Sequence, residues 1–194
     1  EVMDTLTSPI SLALFWLDYA AVAIFAMTGA LAAARSRQDI VTFGFFAAIT
    51  GVGGGTVRDL LIGAPVFLVH AGVYLWVCLG AALAVWVLGM RPWRHAALVW
   101  FDAAGLAAYA VIGSAKALSY GTAPGVAVAM GVITATFGGI LRDVFAAEQS
   151  VLVRRDIYLT AALLAASVLV VLRLAGVDAA IAAGAVFDCG FALR

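Results

Sequence analysis

The chain has 194 residues, 65% of them hydrophobic and 11% charged, with a mean hydropathy of +1.12 and a formal net charge of zero. Soluble domains average about 45–50% apolar and about 25% charged residues, so this composition excludes a soluble globular fold and indicates a polytopic membrane protein. The neutral balance leaves no electrostatic footprint for nucleic acid.

A membrane-spanning helix needs about 20 apolar residues. Seven candidates follow in chain order: 10–34, 40–62, 69–90, 97–119, 124–146, 151–174 and a shorter seventh at 177–193. The connections are short, so one all-α transmembrane domain over 1–194 is expected, without an inserted soluble unit. Arg35 and Arg37 follow the first span, Arg91 and Arg94 the third, Arg154 and Arg155 precede the sixth, and Arg194 ends the chain. Alternating spans place all of these on one side, so the positive-inside rule predicts an external N-terminus and a cytoplasmic C-terminus.

The spans are duplicated. Gly54-Gly55-Thr56-Val57-Arg58-Asp59 returns 84 residues later as Gly138-Gly139-Ile140-Leu141-Arg142-Asp143. At the same offset Asp18 matches Asp102, Gly29 matches Gly113, Thr50 matches Thr134, and Tyr74 matches Tyr158. Repeat one covers 10–90 and repeat two 97–174. The first apolar stretch belongs to the repeat, which argues against a cleaved leader. Each repeat holds three spans, an odd number, so the second copy must enter the membrane inverted. The expected architecture is two inverted three-helix repeats plus a seventh helix, with polar groups gathered near the midplane.

Both motif copies place Arg beside Asp inside apolar stretches, where each charge costs about 2.5–3.5 kcal/mol on insertion scales unless it is compensated. The run Thr50-Gly51-Val52-Gly53-Gly54-Gly55 is rich in glycine, each costing up to about 1 kcal/mol against alanine, so a kink is expected there and a milder one at Gly138-Gly139. Carbonyls freed by such kinks would offer ligands to a cation, provided they face protein or a water-filled path. Neighbouring Arg and Asp diverge by about 100° on a helix. Crossed pairs, Arg58 with Asp143 and Arg142 with Asp59, would satisfy both across the inverted repeat; the alternative is a structural latch that touches no permeant species. The isolated glycines Gly29, Gly44, Gly80, Gly113 and Gly131 read as close-packing positions.

Lys116 either snorkels to the surface from the end of span four or projects into a water path as a positive barrier. Asp18 and Asp102 read as helix caps. Tyr74 and Tyr158 are interfacial anchors or pore hydroxyls, His70 and the tryptophans belt residues, and Cys78 and Cys189 small buried hydrophobes. No HExxH, GxSxG or phosphate-loop lysine is present, so an enzyme is not expected.

Phe25-Ala26-Met27-Thr28-Gly29-Ala30-Leu31, Gly113-Ser114-Ala115-Lys116-Ala117-Leu118 and the two Gly-Gly-x-x-Arg-Asp motifs resemble the prokaryotic TRIC family of trimeric intracellular cation channels. The resemblance covers nearly the whole chain. It implies a homotrimer in a prokaryotic plasma membrane, contacting lipids, with one pore per protomer permeable to potassium and other monovalent cations and no cofactor beyond them. By position, Gly53, Gly54, Gly55, Arg58, Asp59, Lys116, Gly138, Gly139, Arg142 and Asp143 would line or gate that pore, with Thr50, Thr134, Tyr74 and Tyr158 as further polar candidates. Phe137 stands where the first copy has Gly53, so an equal kink in both halves is not expected. The rival expectation is a secondary transporter for a small solute such as an amino acid, because inverted repeats serve carriers equally well.

Overall fold

A computed structural model describes residues 9–36, 38–88, 94–147 and 158–177, with the side chains of most of them. All regular structure among the described residues is helical: α1 (Pro9–Arg35), α2 (Ile40–Leu61), α3 (Phe67–His70), α4 (Val73–Leu88), α5 (Arg94–Ser119), α6 (Pro124–Phe145) and α7 (Tyr158–Leu174). Four of them, α1, α2, α5 and α6, contain stretches long and apolar enough to cross a membrane, and α4 and α7 are shorter apolar helices. The third predicted span divides, because the chain leaves helical geometry at Ala71 and separates the single turn of α3 from α4. Residues 151–157 of the sixth predicted span and all of the seventh beyond Val177 lie outside the described residues, as do Arg37, Arg91, Arg154, Arg155, Cys189 and Arg194.

Local chemistry sets the helix ends. Asp39 caps α2 by accepting the Thr42 amide at 2.8 Å, and that bond holds its carboxyl below the usual range. Pro124 opens α6, where its missing N–H costs nothing. The chain leaves α2, α5 and α7 through Gly63, Gly121 and Gly176, all with positive φ, a backbone state in which glycine stops a helix without strain.

The principal contacts obey an exchange of halves. Helix α1 packs on α2 and α4, and α5 packs on α6 and α7; α2 meets α4 as α6 meets α7. Between halves, α1 meets α5 and α2 meets α6. Exchanging α1 with α5, α2 with α6 and α4 with α7 leaves this pattern unchanged, as a two-fold relation requires. The buried faces agree position for position: each buried residue of α6 falls 84 residues after a buried residue of α2, and only Gly44 of α2 lacks such a counterpart.

Small residues let the two central helices approach closely. A Cβ built on Gly54 would stand 2.2 Å from the Thr134 carbonyl oxygen, and one on Gly138 would stand 2.4 Å from the Thr50 oxygen. These contacts are repeat equivalents of one another, and they run in opposite senses along the two helices. Helices α2 and α6 are therefore antiparallel and cross between these two contacts. On the neighbouring α1–α5 contact the repeat-equivalent rings of Phe25 and Tyr109 stack on each other, with centroids 4.9 Å apart and planes 14° apart. Large apolar side chains, including Leu60, Trp76, Leu83, Val87 and Val171, remain exposed around the outside, as a lipid-facing surface demands.

Candidate functional site

Both helices of the crossing stay helical through their glycines. The glycines of the motif act mainly as close-approach positions: Gly54 and Gly138 admit the opposite main chain, and the Phe67 ring covers Gly55. Gly53 faces the side chain of Leu141, and Gly139 is buried in α6. Gly29 and Gly113 serve the same purpose within each half, against Thr50 and Thr134, and Gly131 admits Ser114. Gly80 is an exception, with nothing within 4 Å of a built Cβ; it faces outward from α4 and is no packing position.

Two charged clusters flank the crossing. The first is built on Asp59, in the last turn of α2 and fully buried. Its Oδ1 receives Arg58 through Nε at 2.9 Å and Nη2 at 2.8 Å. Lys116 of α5 reaches Oδ1 and Oδ2, each at 2.9 Å, and the Phe67 amide donates to Oδ2 at 3.2 Å. Phe67 is placed by the single turn of α3, and its ring lies 5.9 Å from the Lys116 ammonium. An aromatic series continues from there: Phe67 meets Tyr74 edge-on at 4.6 Å, and Tyr74 stacks on Tyr19 at 4.6 Å while its hydroxyl donates to Asp18.

The second cluster is built on Arg142 in α6. Its Nε and Nη2 each contact Asp143 Oδ1 at 2.9 Å, while Nη1 donates to Asp102 Oδ1 of α5 at 2.8 Å. All three residues are buried. Charges in an apolar interior persist only when paired and hydrogen-bonded, and both clusters meet that condition.

The crossed pairs expected from the sequence do not form. Each arginine folds back onto the aspartate that follows it, because its long side chain spans the angular offset between neighbours. The antiparallel crossing explains why no exchange occurs. Arg58 and Asp143 lie beyond the crossing on opposite sides, roughly 20 Å apart along the helix axes. Capping is corrected too: Asp18 and Asp102 sit within α1 and α5, not at their starts, and use their carboxylates on Tyr74 and Arg142.

Lys116 neither snorkels nor stands free, since its ammonium is bound to Asp59. Its side chain is 26% exposed and borders a cavity of about 590 Å³ also lined by Ile112, Leu118, Arg173 and Leu174. The repeat counterpart of Lys116 is Ala32, so the lysine partner of Asp59 has no repeat equivalent. Thr50 and Thr134 are fully buried at the crossing; Thr134 donates to the Met130 carbonyl, whereas the Thr50 hydroxyl has no hydrogen-bond partner among the described residues. Tyr74 is buried against α1, and Tyr158 opens α7 with its side chain outside the described residues. Among the described residues no three His, Cys, Asp or Glu side chains converge as metal ligands do.

Sequence reasoning missed Phe67 and Tyr109. Phe67 lies outside the motif and acts through its amide. The Tyr109 hydroxyl donates to the Gly51 carbonyl inside the glycine run of α2. The repeat offset already paired Tyr109 with Phe25, and that single-hydroxyl difference was the available signal.

The family model described as glycine transporter matches the chain twice, over residues 15–90 and 99–174, which reproduces the internal repeat. A UPF0126 membrane protein of Vibrio cholerae is 40% identical over 157 residues, 78% of this chain and 64% of the relative. The chain thus spans less than two thirds of that relative's length. The UPF0126 inner membrane protein YadS of Escherichia coli K12 is 39% identical over 153 residues, 77% of this chain and 74% of YadS. Among solved structures, the TRIC trimeric intracellular cation channel orthologue from Rhodobacter sphaeroides superposes with a TM-score of 0.90 at 46% identity, over 93% of this chain and 94% of that one. With its duplicated helical unit, its paired Arg-Asp clusters and these likenesses, the chain belongs to the prokaryotic TRIC family of multi-pass membrane proteins.

Proposed function

We propose that this protein is a cation channel conducting monovalent ions, potassium and sodium among them, in a homotrimer with one pore in each protomer. The observation that carries this reading is the reciprocal contact of Gly54 with Thr134 and Gly138 with Thr50, flanked by a buried charged cluster on either side. A helix crossing that carries Thr50 and Thr134 between two buried charged clusters is a pathway that can be shut by contact and opened by separation. Helices α2 and α6 frame it, and the crossing as it stands is closed, since not even a methyl group fits between the chains. Carboxylates of Asp59, Asp102 and Asp143 match Arg58, Arg142 and Lys116 in number, with the excess positive charge of these six residues on the Asp59 side of the crossing and the excess negative charge on the Arg142 side. The trimer and the cation preference are supported by likeness to the Rhodobacter channel, whose protein is described in those terms. The N-terminus faces outward in this reading, following the arginine distribution.

A second reading is favoured by the description of the family model as a glycine transporter. Inverted repeats closed at the centre suit alternating access as well as conduction. Reconstitution separates the two. Resolved unitary potassium currents in planar bilayers establish the channel. Saturable glycine uptake into vesicles, driven by an ion gradient and without unitary events, establishes the carrier.

A further inference from the structure

We propose that Tyr109 is the residue that holds the glycine run of α2 in the closed crossing, and that repeat two has no such restraint on α6. This rests on the channel reading for its consequence but not for its geometry.

Helix α2 carries Gly51, Gly53, Gly54 and Gly55 within five positions, whereas the matching stretch of α6 has Ala135, Phe137, Gly138 and Gly139. On intrinsic propensity α2 is the weaker helix at this level. It is also the helix that receives the phenol. A helical carbonyl keeps a second lone pair beside the one turned to its own ladder, and the Tyr109 hydroxyl donates to that acceptor on Gly51. Tyr109 is itself immobilised, 2% exposed and stacked on Phe25, so the hydroxyl is presented from a fixed ring.

The two-fold relation supplies an internal control. The counterpart of Tyr109 is Phe25 and the counterpart of Gly51 is Ala135, so the symmetric position has the ring and the carbonyl but no hydroxyl. Helix α6 instead carries Thr134 and Thr136 bonded back to the carbonyls of Met130 and Val132, an arrangement that loosens and bends helices. One side of the crossing is therefore tied to the opposite half, and the other is compliant. Parting the crossing from the α2 side requires breaking the Tyr109–Gly51 bond; parting it from the α6 side does not.

Tyr109→Phe removes the tie and makes the stack symmetric, while Phe25→Tyr offers a second tie to Ala135. Two readouts apply, single-channel open probability and hydrogen–deuterium exchange of the trimer in detergent. In wild type, amides of residues 51–55 exchange more slowly than those of 135–139. Tyr109→Phe raises exchange in 51–55 alone and raises open probability roughly fivefold, the effect of one buried hydrogen bond, at unchanged unitary conductance. Phe25→Tyr slows exchange in 135–139 and lowers open probability. Exchange in 51–55 that stays at the wild-type rate in Tyr109→Phe overturns the proposal, as does Phe25→Tyr leaving 135–139 unaffected should Tyr109→Phe not assemble. If wild type shows no unitary currents, the channel reading fails, and the exchange data still decide the restraint.

Discussion

Gly54 lies so close to the main chain of Thr134 that a methyl group placed on it would stand 2.2 Å from the carbonyl oxygen. The obstacle is backbone rather than a side chain that could turn away. Gly54→Ala, and equally Gly138→Ala against Thr50, should lower stability by about 1–3 kcal/mol, as overpacking does. Gly80→Ala is the matched control: with open space around it, the gain in helix propensity makes it neutral or stabilising by up to about 1 kcal/mol. Thermal unfolding of the detergent-solubilised protein ranks the three, and a Gly54→Ala variant as stable as wild type would contradict the contact.

Asp59 is the common acceptor of Arg58, Lys116 and the Phe67 amide. Asp59→Asn strands two cations around a neutral amide, and the expected loss is about 3–5 kcal/mol, the cost of breaking a buried pair from one side. Lys116→Met costs less, about 1.5 kcal/mol, because Arg58 and Phe67 still hold the carboxylate and the lysine is partly solvated. The order of the two variants in denaturant titration is the test; a Lys116→Met loss larger than that of Asp59→Asn would refute the assignment.

The arginines distinguish cis from crossed pairing. A double-mutant cycle on Arg142 and Asp102, 2.8 Å apart, should give a coupling energy of about 0.5–3 kcal/mol. The same cycle on Arg58 and Asp143 should be additive within about 0.5 kcal/mol, since those residues lie on opposite sides of the crossing. Coupling in the second cycle that equals the first would restore the crossed arrangement.

Acidification tests the start of α2. The Thr42 amide lowers the Asp39 carboxyl, so its capping contribution is fully present above the unfolded-state pKa of about 3.9 and is lost as pH falls through the lower folded value. Amide exchange at Thr42 should therefore accelerate below that range, beyond the intrinsic pH dependence of exchange. In Asp39→Ala it should be fast at every pH.

Much of this arrangement was legible in the residues. The span order, the repeat offset and the odd number of spans per repeat predicted an inverted pair of halves, and the packing of α1, α2 and α4 against α5, α6 and α7 has that form. The close-packing role assigned to Gly29, Gly113 and Gly131 agrees with the geometry, while Gly80 fails because it faces outward. The charged partners were not legible. Asp102 lies 40 residues from Arg142, and Lys116 lies 57 residues from Asp59, with no local pattern to announce either contact.

Composition and periodic duplication by themselves determined a membrane-spanning, two-fold repeated helical chain with charge buried at equivalent places. That much follows because transfer free energy and internal symmetry are written in residue type and spacing. Which positions meet across the axis was decided only in three dimensions. An offset of 84 residues states that Gly54 is equivalent to Gly138, but contact depends on where the axis cuts the helices, and there it sets Gly54 on Thr134. The same axis carries Arg58 away from Asp143, brings Lys116 to Asp59, and leaves a tyrosine hydroxyl on one side of the crossing with none on the other.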